Sequence, residues 1–257
     1  MSRLIKERKG AVARLVLNRP EKHNAFDEAL IEELTQAIDE AENDPSVRVV
    51  VLAANGKSFS AGGDLDWMRR MAAYSEEENL ADANRLALLM QRLNFIPKPT
   101  IAAVQGAAMG GGVGLVAACD IAVGTAQVMF GLTEVRIGLI PATIGPYVVQ
   151  AIGERAARRY FMTGERFDAA TARELGLLHE VVEDLDAAVA RHVEALLLGG
   201  PEALGATKKL IRRVGRGPIN VAMIEDTAAR IARARAGGEA REGIAAFFGR
   251  RKPNWQA

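Results

Sequence analysis

Two glycine-bearing segments have the composition of a binding site built from backbone. One is Phe59-Ser60-Ala61-Gly62-Gly63-Asp64-Leu65; the other runs from Gly106 through Gly110-Gly111-Gly112-Val113-Gly114. In each, a strand-like run passes through glycine into a helical pattern. Helix N-termini leave backbone N–H groups unpaired and carry partial positive charge. Two such ends aimed at one point form an oxyanion hole for a carbonyl that becomes an enolate. Spacing alone leaves a second reading open, in which both segments are only tight strand-to-helix turns.

Other chemistries find less support. Gly56-Lys57-Ser58 ends like a phosphate-binding loop, but Val51 stands where that loop needs its first glycine. Gly112-Val113-Gly114-Leu115-Val116-Ala117 fits the loose dinucleotide pattern, with Glu134 at the distance of a ribose contact. Several residues separate it from the strand-like run ending at Val104, against that motif's geometry. His23, His179 and His192 are scattered, so no metal site is expected and each reads as solvated or satisfied in the core. There is no G-x-S-x-G elbow. Cys119, beside Ala117 and Ala118, reads as buried filler rather than a nucleophile.

The elements that must hold these segments follow from periodicity. Val12–Leu17 and Thr100–Val104 read as strands, and the β-branched run Val47–Ala53 as a strand buried on both faces. Asp27 sits as an N-cap before Leu30, Ile31, Leu34, Ile38 and Ala41 at helical spacing. A second helix is expected over 76–95, closed by Pro97 and Pro99, and short strands over 120–123 and 128–130. Strands alternating with helices predict an α/β fold of stacked ββα units. From about Leu185 only helical patterns remain, near 185–198, 201–214, 218–236 and 238–248. We divide the chain into a core over 1–195 and a helical region over 196–257.

Composition sets the outer limits. The chain has 257 residues, 49% hydrophobic and 25% charged, enough to bury a core without disulfides. Lys+Arg 33 against Asp+Glu 32 gives a net charge of +1, so no strong field draws the chain to nucleic acid or an anionic membrane. The single cysteine suits a reducing cytoplasm. The basic start, Met1 to Lys9, lacks the apolar run of a secretory signal. Residues 101–119 carry no charge, but their glycines and Gln105 favour a buried strand and helix over a membrane span.

Taken together, the segments resemble the crotonase (enoyl-CoA hydratase/isomerase) superfamily. Phe59 to Leu65 is similar to its F-x-A-G-x-D-L segment. Pro99 to Gly112 with Ala118-Cys119-Asp120 is similar to its second signature. Asn18-Arg19-Pro20 through Asn24-Ala25 and Glu242 to Phe247 extend the likeness over nearly the whole chain. The resemblance implies a spiral of ββα units with a C-terminal helical trimerisation region, assembled as a homotrimer or a homohexamer. It implies acyl-CoA thioesters as substrates, with coenzyme A as part of the substrate and no separate cofactor. It assigns the oxyanion hole to the N–H groups of Gly63 and Gly111. Lys22, Ala25, Ala61, Asp64 and Leu65 would line the CoA path, mostly through backbone, and Phe247 and Arg250 would reach CoA on a neighbouring subunit.

One departure bears on mechanism. Two-glutamate hydratases carry a glutamate two residues after the triple glycine, where this chain has Gly114. The second family glutamate falls on Glu134, in Thr133-Glu134-Val135-Arg136. The family's P-G-x-G-G-T run is replaced by Pro141-Ala142-Thr143-Ile144-Gly145-Pro146-Tyr147. Thr133 to Arg136 and Ile152-Gly153-Glu154-Arg155 to Tyr160 are most similar to bacterial methylglutaconyl-CoA and isohexenylglutaconyl-CoA hydratases, which implies a place in leucine or fatty-acid breakdown. The expected reaction is hydration of an enoyl-CoA by Glu134 alone. A Δ3,Δ2-enoyl-CoA isomerase also needs one carboxylate. Without the resemblance, Glu134 reads as a surface residue paired with Arg136. A non-catalytic CoA-binding or RNA-associated protein is a further alternative, disfavoured by the charge balance and by 5% aromatics. A Gly114→Glu change is expected to help hydration if the pocket has room.

Overall fold

The structure, a computed structural model, describes residues 2–215 and 217–256; Met1, Arg216 and Ala257 lie outside them. In chain order its elements are β1 (Leu4–Lys9), β2 (Val12–Leu17), α1 (Glu28–Asn43), β3 (Val49–Ala54), β4 (Ser58–Ser60), α2 (Leu65–Met71) and α3 (Glu76–Phe95). Next come β5 (Thr100–Val104), β6 (Ala107–Met109), α4 (Gly111–Ala118), β7 (Ile121–Thr125), β8 (Met129–Gly131) and α5 (Gly145–Thr163). The last are β9 (Arg166–Asp168), α6 (Ala169–Glu174), β10 (Glu180–Val182), α7 (Leu185–Leu198), α8 (Pro201–Val214), α9 (Val221–Ala236) and α10 (Gly238–Phe248).

Local chemistry explains the boundaries. The Asp27 carboxylate accepts the Leu30 N–H at 2.9 Å and starts α1, whose Leu30, Leu34 and Ile38 are fully buried. Ser75 and Glu78 form a reciprocal capping box at the start of α3. Val49, Val50, Val51 and Leu52 are all buried, as a strand covered on both faces requires.

The strands form two sheets, ordered β1-β2-β3-β5-β7-β10 and β4-β6-β8-β9. In three successive units the first strand (β3, β5, β7) enters the larger sheet and the second (β4, β6, β8) the smaller one. A helix then returns the chain. Those pairings are parallel, while β1–β2 and β8–β9 are antiparallel. This is the expected α/β stack of ββα units.

Several elements go beyond the sequence expectations. β1 lies where only a charged terminus was noted: Lys6, Glu7, Arg8 and Lys9 pair along β2 as an edge strand. α5, α6, β9 and β10 fill 145–182, which periodicity left unassigned, and α9 begins at Val221 rather than 218. The short strands shift to 121–125 and 129–131.

The C-terminal helices are tied to the sheets by polar contacts. Lys208 Nζ meets Asp120 Oδ2 at 2.6 Å, and Asp120 in turn accepts from Thr100 N–H at 2.8 Å. Arg212 donates to Asn94 O at 2.7 Å and Arg48 to Trp255 O at 2.7 Å. Burial lowers the Lys208 pKa and pushes the thiol of the half-buried Cys119 up to about 12, which disfavours its thiolate. Ile211, Ile224, Ile244, Phe247 and Phe248 are exposed on these helices. No helix among the described residues is long and apolar enough to cross a membrane.

Candidate active site

The turn after β4 is shaped by Phe26. Phe26 N–H donates to Gly62 O at 2.7 Å, and Phe26 O accepts the Asp64 N–H at 2.7 Å. This parallel bridge uses the peptide groups on either side of Gly63 and leaves its N–H on the opposite edge. Among the described residues, that N–H meets no protein acceptor. Gly62 has φ +86, and a Cβ there would stand 3.1 Å from Met109 O. Glycine is therefore required both for its backbone angle and for the close approach of the second segment.

The second segment is held against the same residue. A Cβ on Gly111 would lie 2.7 Å from Phe26 Cε2, and one on Gly112 would lie 2.9 Å from Ser60 O. Gly110 N–H donates to Gly131 O at 2.9 Å, and the helix begins at Gly111, whose N–H has no partner among the described residues. Phe26 thus touches both segments, through its backbone at Gly62 and Asp64 and through its ring at Gly111. The sequence reading missed Phe26; the only local signal was its place after Asn24-Ala25, between a turn and a helix cap.

Glu134 opens a 3₁₀ turn over Glu134–Ile137 after β8 and is only half-buried as a residue. Its carboxylate, however, is largely withdrawn from solvent. A Cβ on Gly110 would stand 2.9 Å from Glu134 Oε1, which places the carboxylate at the start of α4. Oε2 is buried and accepts no hydrogen bond. Burial raises the Glu134 pKa above the ordinary glutamate value, and a backbone hydrogen bond offsets only part of the rise. No ion pair joins Glu134 to Arg136 among the described residues, and the Arg136 side chain lies instead along Gly164.

The other expected residues divide. Asp64 is buried and accepts from Arg19 at 3.0 Å and Lys22 at 3.0 Å, while its other oxygen caps α2 through the Asp66 N–H at 2.9 Å. Burial pushes its pKa up, but those donors outweigh it and leave it at about 2. Lys22 also contacts Asp66 at 3.1 Å. Its pKa is raised by the hydrogen bonds to Asp64 and Asp66. Ala25 N–H donates to Lys22 O at 3.1 Å and Ala61 N–H to His23 O at 2.9 Å, and Leu65 is exposed. These five residues therefore flank Gly63. Phe247, on α10, and Arg250, just beyond it, lie apart: α10 packs on α9, and both residues are exposed.

Gly114 corrects one expectation. A Cβ there would lie 2.2 Å from Ile144 Cγ2 and 3.2 Å from Met90 Cε. Both neighbours are buried, so a glutamate at 114 has no room. The histidines are satisfied: His23 Nδ1 lies 3.0 Å from Ser58 Oγ, His179 Nδ1 accepts the Ala122 N–H at 3.1 Å, and His192 Nε2 meets Glu180 at 2.8 Å. Among the described residues, no group of three His, Cys, Asp or Glu could hold a metal ion. A surface groove of about 910 Å³ between α1 and α3, lined by Glu28, Thr35, Asp39 and Arg85 among others, contains none of the site residues.

Two unpaired N–H groups on segments that both pack on Phe26, beside a desolvated carboxylate with a free oxygen, can polarise a carbonyl and move a proton next to it. Comparison with known proteins agrees with this chemistry. Residues 7–257 match the enoyl-CoA hydratase/isomerase family. A candidate enoyl-CoA hydratase from Thermus thermophilus is 38% identical over 98% of this chain and 100% of its own. A trans-2-decenoyl-[acyl-carrier-protein] isomerase from Streptococcus mutans is 34% identical over 81% of this chain and 74% of its own. The crystal structure of an enoyl-CoA hydratase from Shewanella pealeana superposes with a TM-score of 0.97 at 47% identity, covering 99% of this chain and 96% of that one.

Proposed function

The chain belongs to the enoyl-CoA hydratase/isomerase family, and within it we propose that this protein hydrates the α,β double bond of an enoyl-CoA of the 3-methylglutaconyl type. The observation that carries the reading is the Glu134 carboxylate, with Oε2 buried and unpartnered at the start of the helix that presents the Gly111 N–H. The thioester oxygen sits between the Gly63 and Gly111 N–H groups. Glu134 takes a proton from water as the water oxygen bonds to Cβ. The electron pair moves through Cα to the thioester oxygen, and the enolate collapses as Glu134 returns the proton to Cα. One water is added and the carboxylate is regenerated, with both additions on one face.

Lys22, Ala25, Ala61, Asp64 and Leu65 form the CoA path in this reading. Phe247 and Arg250 reach the CoA of a neighbouring subunit, which makes a trimer or hexamer the working form. The exposed apolar residues of α8–α10 support that assembly. The methylglutaconyl assignment rests on the resemblance of Thr133 to Arg136 and Ile152 to Tyr160.

A second reading, Δ3,Δ2-enoyl-CoA isomerisation, is favoured by Ile144 filling the space beside Gly114, since moving a proton between C2 and C4 needs no second group to hold water. Incubation with crotonyl-, 3-methylglutaconyl- and 3-hexenoyl-CoA, followed by product mass and by the ultraviolet absorbance of a conjugated enoyl thioester, separates the two. A gain of one water on 3-methylglutaconyl-CoA supports hydration. A shifted double bond in 3-hexenoyl-CoA at unchanged mass, with no hydration of the other two, refutes it.

A further inference from the structure

Gly63 is held from two sides. On one side is its parallel bridge to Phe26; on the other is α2, which starts from the cap residue Asp64 directly after it. With 7 residues, α2 is too short to hold its place alone, so its position depends on what it is tied to. Arg70 Nη2 donates to Glu28 Oε2 on α1 at 2.7 Å, an exposed contact. Trp67 Nε1 donates to Asp82 Oδ1 on α3 at 3.4 Å, and both of these residues are buried. The side chains of α2 also reach back to Gly63. A Cβ there would lie 3.7 Å from Trp67 Cε3 and 3.3 Å from Met68 Cγ.

Asp82 is not needed for the proton transfer, and it sits where a charge is costly. Burial pushes its pKa up, and the Trp67 hydrogen bond and Arg85, whose Nη1 stands 3.5 Å away, only partly offset this. An apolar pair filling the same contact between α2 and α3 would avoid that cost. What an apolar pair lacks is direction. An indole N–H aimed at one carboxylate oxygen fixes where the ring stands, and dispersion contacts do not. We propose that Asp82 is a positioning residue of the reaction: by holding the Trp67 indole it seats α2 against Gly63, and so fixes the direction of the Gly63 N–H. This deepens the hydratase reading and rests on it for the role of that N–H, but the link from Asp82 through Trp67 to Gly63 is independent of it.

Two measurements test the proposal. The first reads the carbonyl and needs no turnover. Butyryl-CoA, a saturated thioester that cannot be hydrated, is bound at saturation and its thioester C=O stretch is recorded by infrared difference. The stretch should fall in frequency on binding to the parent, because donors at the oxygen weaken the C=O bond. The fall should shrink in Asp82→Ala and in Trp67→Phe, and recover most of the way in Asp82→Asn, which keeps an acceptor oxygen for the indole. Loss of stability alone would leave the frequency of the bound ester where it is in the parent. A parental shift in the folded Asp82→Ala and Trp67→Phe variants therefore overturns the proposal, and Trp67→Phe serves alone if Asp82→Ala does not fold. No fall in the parent would contradict the oxyanion role of Gly63 itself, and the proposal with it.

The second is steady-state hydration of 3-methylglutaconyl-CoA. A displaced oxyanion donor is felt in the transition state, so kcat should fall about 10–100-fold in Asp82→Ala. KM should stay within about twofold of the parent, as expected when ground-state binding is unchanged. Trp67→Phe should lose about as much, and adding Asp82→Ala to it should lose little more, because both changes break one link. Fully additive losses, or a raised KM at the parental kcat, would overturn the proposal. If the parent hydrates no ester yet shifts the butyryl-CoA carbonyl, the hydratase reading fails, and the infrared series still decides the role of Asp82.

Discussion

Asp64 and Glu134 are both carboxylates withdrawn from water at the same site, and they are treated in opposite ways. Asp64, beside Gly63, receives Arg19, Lys22 and a backbone N–H, and its pKa is drawn down to about 2 against the effect of burial. Glu134, beside Gly110, keeps Oε2 without a partner, and burial raises its pKa. Burial alone therefore does not identify a working acid or base. A carboxylate whose lone pairs are all spoken for builds the turn, whereas one held dry with an oxygen to spare is poised to take a proton.

The contrast breaks first at activity. Glu134→Gln keeps shape and removes the base, so turnover should fall on the order of 10²–10⁴-fold while acyl-CoA still binds. Steady-state kinetics paired with calorimetric binding checks this. Gly111→Pro removes one proposed oxyanion donor at the first helical position, where the φ of proline is tolerated. Its kcat should fall about 10²–10³-fold. Circular dichroism must confirm the fold, because the added ring carbons crowd Phe26.

Asp64 should instead answer in stability. Asp64→Ala removes one of the two carboxylates that meet the buried Arg19 guanidinium, which keeps Asp27 at 2.9 Å, together with the cap of α2, and should cost about 1.5–3 kcal/mol, read as a shifted urea midpoint. A variant of unchanged stability would end the distinction between the two carboxylates.

The smallest effect is in pH dependence, and it has opposite signs. The Asp64 pKa is depressed from 3.8 to about 2, so its contribution is complete above 3.8 and lost as pH falls toward 2. The Glu134 pKa is raised from 4.5, so the folded state binds that proton more tightly and loses stability as pH rises from 4.5 through the raised value. Thermal melts across pH should show Glu134→Gln gaining on the parent in the second window only. In the parent, the acid limb of kcat/KM should lie above the ordinary glutamate range.

Much of this scaffold was legible in the sequence because its signals are local. Asp27 with Leu30, Leu34 and Ile38 gives α1, the prolines at 97 and 99 close α3, a near-continuous β-branched run gives β3, and short apolar runs give β2 and β5. The glycine segments were legible as strand-to-helix turns for the same reason. What was hidden depends on contacts distant in sequence or on elements too short to show a period. The strands β4, β6, β8, β9 and β10 have three residues each. The helical pattern of α5 is interrupted at Gly153, where φ is +75. β1 carries Lys6, Glu7, Arg8 and Lys9 because it is an edge. Phe26 and Ile144 are ordinary apolar residues in sequence. Their weight comes from Gly111, 85 positions away, and from Gly114, 30 away, which only the folded chain brings against them.

The most direct test of the central claim, that Glu134 is the residue that moves the proton, is exchange at Cα in heavy water. Parent enzyme, Glu134→Gln and Asp64→Asn are each incubated with the hydrated acyl-CoA product, and deuterium at Cα is followed by mass. At saturating acyl-CoA, folded Asp64→Asn should exchange at close to the parent rate, and Glu134→Gln should exchange more slowly, on the order of 10²-fold or more. Exchange at the parent rate in Glu134→Gln would contradict the account, because another group would then be carrying the proton.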